Sequence, residues 1–255
     1  VITVAHAGGD GTDSLSSIEA IRGTHLADTY NARGFFGSFG TLNEFEGMAG
    51  NDTVIGNGNT RRSYALAREG ASGDLQAGEV TGGASVGSDT ILGGVSQMRG
   101  SNFDDVLMGT DHGITSAQVY EGRAGDDEYS GRGGFDQARY DSDPTQTGID
   151  VEMAAINAFT GRVTGEAGII DTDTLIDIVS VVGTQFADSY NATGYFSDVS
   201  GLGAFNEFDG GAGDDTITGN SATRATFLSS FTGVTVDLAA GTASGFGSGN
   251  DTLTN

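Results

Sequence analysis

One short pattern recurs along this chain and constrains its fold more than any other feature. Gly8-Gly9-Asp10-Gly11-Thr12-Asp13-Ser14-Leu15 reads Gly, Gly, any, Gly, any, Asp, any, apolar, and Gly210-Gly211-Ala212-Gly213-Asp214-Asp215-Thr216-Ile217 repeats it in full. Looser copies place the aspartate at Asp28, Asp52, Asp89, Asp105, Asp127, Asp136, Asp173, Asp188 and Asp251. Two positions after each stands Tyr30, Val54, Ile91, Leu107, Tyr129, Ala138, Leu175, Tyr190 or Leu253, all apolar or aromatic. Glycine permits positive φ and close backbone approach, so Gly-Gly-x-Gly reads as a tight turn. The alternation in Thr216-Ile217-Thr218 has the period of a short, half-buried strand. Turn plus short strand, repeated, predicts an all-β chain built as a parallel β-helix or β-roll.

A longer repeat contains the short one. Gly23-Thr24-His25-Leu26-Ala27-Asp28-Thr29-Tyr30-Asn31-Ala32 returns as Gly183-Thr184-Gln185-Phe186-Ala187-Asp188-Ser189-Tyr190-Asn191-Ala192, with a weaker copy at Gly100–Leu107. Asn43-Glu44-Phe45-Glu46-Gly47 matches Asn206-Glu207-Phe208-Asp209-Gly210, with Tyr120-Glu121-Gly122 between them. These landmarks divide the chain into units over 1–88, 89–170 and 171–250, and 251–255 opens a further one. The opening Val1-Ile2-Thr3-Val4 lacks Met and resembles the tail of a preceding unit, so the array is expected to continue at both ends.

Composition narrows the function. Lys plus Arg number 11 against 35 Asp plus Glu, a net charge of −24. That balance argues against nucleic acid and against anionic membranes, both of which select basic patches. No stretch is long and apolar enough to insert in a bilayer. Self-repulsion at this charge density opposes compaction, and divalent cations are natural candidates to relieve it. With 36% hydrophobic residues at regular spacing, a thin, elongated core is available despite 44 glycines and the absence of Cys.

The turn pattern resembles the RTX family, the hemolysin-type calcium-binding nonapeptide repeats, over nearly the whole chain. Gly233-Val234-Thr235-Val236-Asp237-Leu238-Ala239-Ala240-Gly241-Thr242-Ala243 also resembles spacers of long bacterial surface proteins of this type. The resemblance implies a right-handed coil holding several Ca²⁺ ions, with carboxylate ligands at Asp13, Asp28, Asp52, Asp89, Asp105, Asp127, Asp136, Asp173, Asp188, Asp215 and Asp251. Asp13, Asp52, Asp127 and Asp215 fit best. Asp28, Asp105 and Asp188 sit in turns lacking the middle glycine. Ca²⁺ takes six to eight oxygens, so one turn supplies about half a shell and a neighbouring coil the rest. The family also implies type I secretion and folding in millimolar external calcium, at affinities of roughly 10⁻⁴–10⁻³ M.

This chain departs from the family pattern in three respects. The Asp spacings are irregular, which predicts inserted loops. Thr60 and Thr223 take the place of Asp136 in the other units and are followed by Arg61 and Arg224, where a guanidinium is expected to replace a calcium ion. Two units carry aromatic insertions (Phe35, Phe36 and Phe39; Tyr195, Phe196 and Phe205), read as packed loops or coil caps, with an exposed partner patch as the sharper alternative.

No catalytic constellation emerges. Gly83-Ala84-Ser85-Val86-Gly87 matches a hydrolase elbow only formally, since no helix pattern follows it. His6, His25 and His112 lack zinc-type spacing. Asp126-Asp127 and Asp214-Asp215 fall inside the turn motif, which outweighs a glycosidase reading. The expected role is a non-enzymatic, structural, extracellular or cell-surface one: adhesin, surface layer or filament, with self-association and possible carbohydrate or cell-surface contact. The rival from another class is a non-catalytic calcium module of a secreted enzyme.

Overall fold

The computed structural model describes residues 2–5, 12–15, 18–37, 40–111, 117–197 and 201–254, with only the backbone of 2–5 and 12–15. Among these residues the chain is all-β. No helix is long and apolar enough to cross a membrane. β1 (Ile2–Ala5) and β2 (Thr12–Leu15) form a separate antiparallel pair.

The other strands fall into three rounds of eight. The first comprises β3 (Ala20–Arg22), β4 (Thr29–Asn31), β5 (Asn43–Glu46), β6 (Thr53–Ile55), β7 (Thr60–Ser63), β8 (Ala71–Asp74), β9 (Glu79–Gly82) and β10 (Ser88–Ile91). The second comprises β11 (Val95–Arg99), β12 (Val106–Met108), β13 (Val119–Glu121), β14 (Glu128–Ser130), β15 (Gln137–Arg139), β16 (Asp150–Asn157), β17 (Thr160–Thr164) and β18 (Thr172–Ile176). The third comprises β19 (Ser180–Val182), β20 (Ser189–Asn191), β21 (Asn206–Asp209), β22 (Thr216–Thr218), β23 (Thr223–Thr226), β24 (Thr235–Asp237), β25 (Thr242–Gly245) and β26 (Gly249–Thr254). The structural period therefore begins at Ala20, Val95 and Ser180. The sequence boundary between 88 and 89 falls inside β10.

The chain alternates between two sheets. A nine-stranded sheet holds β3, β5, β7, β11, β13, β15, β19, β21 and β23 in chain order, with every described pairing parallel. The fifteen-stranded sheet repeats one motif three times: two short parallel strands, then an antiparallel meander. The meanders are β8-β9-β10, β16-β17-β18 and β24-β25-β26. Each runs backward, so β10 pairs with β6 of its own round while β8 pairs with β12 of the next. The longest Asp spacings, Asp52 to Asp89, Asp127 to Asp173 and Asp215 to Asp251, span these meanders, one per round.

The core lies between the sheets. Tyr30 stacks on Phe45, Tyr120 on Tyr129, and Tyr190 on Phe208, with centroids 4.9, 6.0 and 4.6 Å apart, and each pair joins one sheet to the other. Such pairs contribute about 0.5–1.5 kcal/mol beyond area burial. Val54, Leu107, Ala138 and Leu175, all at the apolar position of the turn motif, are buried here. Of the aromatic insertions, Tyr195 is buried and donates its hydroxyl to Ile178 O at 3.1 Å, and Phe35 packs against the first-round core. Phe36 and Phe196 are exposed, and Phe39 lies outside the described residues.

Candidate functional site

The motif aspartates point inward and clamp one coil to the next. Asp28 N–H donates to Asp52 Oδ1 (3.0 Å), and Asp52 N–H to Asp89 Oδ1 (2.8 Å). Asp105 N–H donates to Asp127 Oδ1 (2.8 Å), and Asp127 N–H to Asp173 Oδ1 (3.0 Å). Asp188 N–H donates to Asp215 Oδ1 (2.9 Å), and Asp215 N–H to Asp251 Oδ1 (3.1 Å). Ala71 N–H and Ile149 N–H, at the starts of two meanders, donate across to Asp105 Oδ1 (2.6 Å) and Asp188 Oδ1 (2.7 Å), joining round to round. Such a bond contributes about 0.5–1.5 kcal/mol, and about 1.5–3 kcal/mol where the carboxylate is ionised. The ladder is thus a main-chain fastening repeated along one edge of the coil.

The second carboxylate oxygen decides the glycines. A β-carbon on Gly47, Gly122 or Gly210 would lie 1.8, 1.8 or 1.9 Å from Oδ2 of Asp52, Asp127 or Asp215. The first motif glycine exists to make room for its own aspartate. In the turns, Met48 with Gly50, Arg123 with Gly125, and Gly211 with Gly213 share positive φ, so three turns have one backbone form. The residue before the ladder aspartate faces out and forms a second, exposed row: Asp104 Oδ1 accepts from Asp126 N–H, Asp126 Oδ1 from Thr172 N–H, and Asp214 Oδ1 from Asn250 N–H.

Eight of the sequence-proposed ligands enter the ladder as buried groups: Asp52, Asp89, Asp105, Asp127, Asp173, Asp188, Asp215 and Asp251. Asp28 begins it, half-buried. Asp13 lies in β2, and its side chain is outside the described residues. Asp136 is buried but belongs elsewhere: it precedes β15 in the nine-stranded sheet and accepts from Gln118 N–H at 2.7 Å.

Burial acts on the charge of these carboxylates. It pushes Asp52 up to about 7, Asp173 and Asp215 to about 8, and Asp105 and Asp188 to about 6. Asp127 is pushed up to about 9, by burial first and the neighbouring Asp173 second. The rounds meet this charge differently. In round one the buried Arg62 Nη2 lies 2.5 Å from Asp89 Oδ2 and 3.2 Å from Asp52 Oδ2, and Tyr64 donates to Asp89 Oδ2 at 2.9 Å. In round two Ala138 stands in the place of Arg62. Tyr129 and Tyr140 donate to Asp173 Oδ2 at 3.2 and 2.8 Å, while Asp127 Oδ2 is buried with no hydrogen-bond partner.

Neither Arg61 nor Arg224, where a guanidinium is expected, reaches the ladder; in round one Arg62 does so instead, and in round three Ala225 stands in its place. Strand alternation turns Arg61 outward to Glu44 Oε2 (2.6 Å) and Glu121 Oε1 (2.8 Å), and Arg224 outward to Glu207, over Phe205. Arg99 completes the outer network on Glu121 Oε2 at 2.6 Å. Sequence reasoning missed Arg62, although its alignment with Ala138 and Ala225 in neighbouring rounds marks an inward position. The Ser85 hydroxyl donates to Glu69 Oε1 at 2.9 Å in the loop between β9 and β10, with no helix beside it. His25 is exposed, and His6 and His112 lie outside the described residues.

No protein-family model and no curated protein matches the chain. The residues themselves test the fit of calcium. Ca²⁺ prefers hard oxygen ligands. Most ladder aspartates give Oδ1 to a neighbouring coil, which leaves Oδ2. That oxygen is buried and orphaned at Asp127 and Asp136, a donor chemistry that suits a cation. Among the described residues no three His, Cys, Asp or Glu side chains converge into a metal-holding group. A cation here would draw the rest of its shell from turn carbonyls.

Proposed function

We propose that this chain is a calcium-binding structural repeat region of a secreted or cell-surface bacterial protein, of the RTX kind it resembles, wound as a right-handed β-helix or roll. The observation that carries this reading is the orphaned Asp127 Oδ2 beside Asp173, in the place where round one supplies Arg62. One round carries its own buried cation. The next leaves a carboxylate pair for an external one. Asp127 is the first residue expected to hold it, with Asp136 a second, separate position. When bound, calcium supplies positive charge that lets an anionic coil close. The protein's own residues contribute the rest: amides that fix each Oδ1, glycines that admit each Oδ2, and aromatic pairs that fill the interior. This suits an elongated, non-catalytic part of an adhesin, surface layer or filament, exported before it folds.

The test is calcium titration by calorimetry, with thermal unfolding followed in calcium and in chelator. Calcium is expected to raise the melting temperature, and Asp127→Asn to remove part of the binding heat. Absence of heat together with identical melting in both buffers would overturn the reading.

A further inference from the structure

Round two carries an inward carboxylate that no turn motif explains. The loops that follow β7, β15 and β23 share one bend: Ala67 N–H donates to Tyr64 O at 2.8 Å, Asp143 N–H to Tyr140 O at 3.4 Å, and Ser230 N–H to Phe227 O at 3.1 Å. Ala67, Asp143 and Ser230 therefore hold one place in three rounds. In round one Ala67 packs against the core. Asp143 puts a carboxylate in that place, and its Oδ2 is buried with no hydrogen-bond partner. The round with this extra carboxylate is the one in which Ala138 replaces Arg62.

The neighbouring arginines are held elsewhere. Arg99 donates to Glu121 Oε2 at 2.6 Å, Arg123 to Asn102 Oδ1 at 2.9 Å, and Arg139 to the two oxygens of Asp141 at 3.0 and 2.5 Å. Behind Asp143 lies the buried row. Tyr140 and Tyr129 donate to Asp173 Oδ2, and Asp127 N–H donates to Asp173 Oδ1. Burial pushes Asp173 up first, and the charge of Asp143 adds to that.

Asp143 also lines a cleft of about 240 Å³, together with Tyr140, Asp141 and Thr145 of round two and Gln185 and Phe186 of round three. Tyr140 is shared, since it borders the cleft while its hydroxyl reaches the row. Oxygens thus lead from the cleft to the interior through Asp143, Tyr140, Asp173 and Asp127. The loop that frames the cleft is fixed. Pro144, the one proline of the chain, presets its own φ. Thr145 Oγ1 and Gln146 N–H both donate to Glu166 Oε2, at 3.2 and 2.7 Å.

We propose that this cleft is the entrance through which calcium reaches the buried carboxylates of round two, and that Asp143 takes the ion from water. A cleft lined by acids concentrates cations and speeds their entry by about 10–10³-fold. Calcium binds six to eight oxygens, and a carboxylate on the way in replaces part of the hydration it gives up. Round one has Arg62 built in and no ion to admit, so alanine serves there. The inference rests on the calcium reading above and names how that site is reached.

The test is kinetic. It uses the full chain at pH 8, above the value of about 7 to which burial first and Glu121 second raise Asp143. Terbium, a calcium-sized ion whose emission nearby tyrosines sensitise, is mixed with metal-free protein in stopped flow. Its release into excess chelator is followed by the same emission. The phase that Asp127→Asn removes is the round-two ion. Asp143→Ala copies round one and is expected to slow entry in that phase about tenfold or more, while melting no lower than the parent in chelator. Gln185→Trp, an exposed change that fills the cleft, is expected to slow entry and release by the same factor and leave affinity unchanged. Entry at the parental rate in both variants, or an Asp143→Ala effect confined to faster release, would overturn the entrance and leave the calcium reading standing. A parent chain with neither a terbium signal nor calcium heat would take away the reading beneath it.

Discussion

Asp127 Oδ2 stands 1.8 Å from where the β-carbon of an alanine at position 122 would be, and Gly122 is the residue that admits it. The carboxylate is then free to turn inward, and its Oδ1 takes the Asp105 amide of the coil before. A turn glycine and an inter-coil hydrogen bond are two halves of one device.

The device gives a first prediction. Gly122→Ala forces Asp127 or the backbone to move and is expected to cost about 1–3 kcal/mol, the range for overpacking. Gly233→Ala, where a β-carbon meets nothing within 4 Å among the described residues, is expected to be neutral. Denaturant unfolding compares the two; equal midpoints would remove the steric account.

Arg62 supports a second. It is buried between Asp52 and Asp89 and packs over Phe45 and Tyr64. Arg62→Met keeps the apolar stem and removes the charge. It is expected to cost about 3–5 kcal/mol, as for one partner removed from a buried ion pair. Asp89→Asn in the same chain is expected to recover part of this, because an amide oxygen still accepts Asp52 N–H. Thermal melting of the single and double variants reads the coupling.

The pH dependence follows from the direction of the shifts. Asp127, Asp173 and Asp215 titrate near 8 to 9 in the folded chain, well above the ordinary carboxylate range. The folded state then holds more protons than the unfolded one between the ordinary value and the raised one. Its stability is greatest below about pH 4 on account of these groups and is lost as pH rises toward 9. In chelator, melting temperatures are expected to fall from pH 5 to pH 9. With calcium the slope flattens, since metal binding displaces protons. A rise with pH in chelator would contradict the burial of these groups.

Tyr140 offers a more local measurement. Its hydroxyl donates to Asp173 Oδ2 at 2.8 Å, and Tyr129 donates to the same oxygen. Tyr140→Phe is expected to cost about 1.5–3 kcal/mol where Asp173 is ionised. The change in unfolding free energy at pH 9 checks it.

Much of this was legible in the residues. Local alternation placed Tyr30, Val54, Leu107 and Tyr190 in the interior, because a strand's side chains must point to opposite faces. The recurrence of Gly23–Ala32 at Gly183–Ala192 gave a long repeat, and Gly-Gly-x-Gly gave turns with positive φ. The partner of each aspartate was not legible. Asp136 follows Asp127 by one nonapeptide length and reads as its tandem neighbour, yet it lies on the other sheet, since the chain crosses over between them. Asp127 instead meets Asp173, across a whole meander.

What the sequence determined by itself was the local grammar, because turn, alternation and glycine clearance act within a few residues. What only the tertiary structure decided was which turn lies above which, and that Arg62 and not Arg61 neutralises the first row. Those depend on contacts between residues far apart in the chain, and spacing along a strand carries no record of what the coil brings beside it.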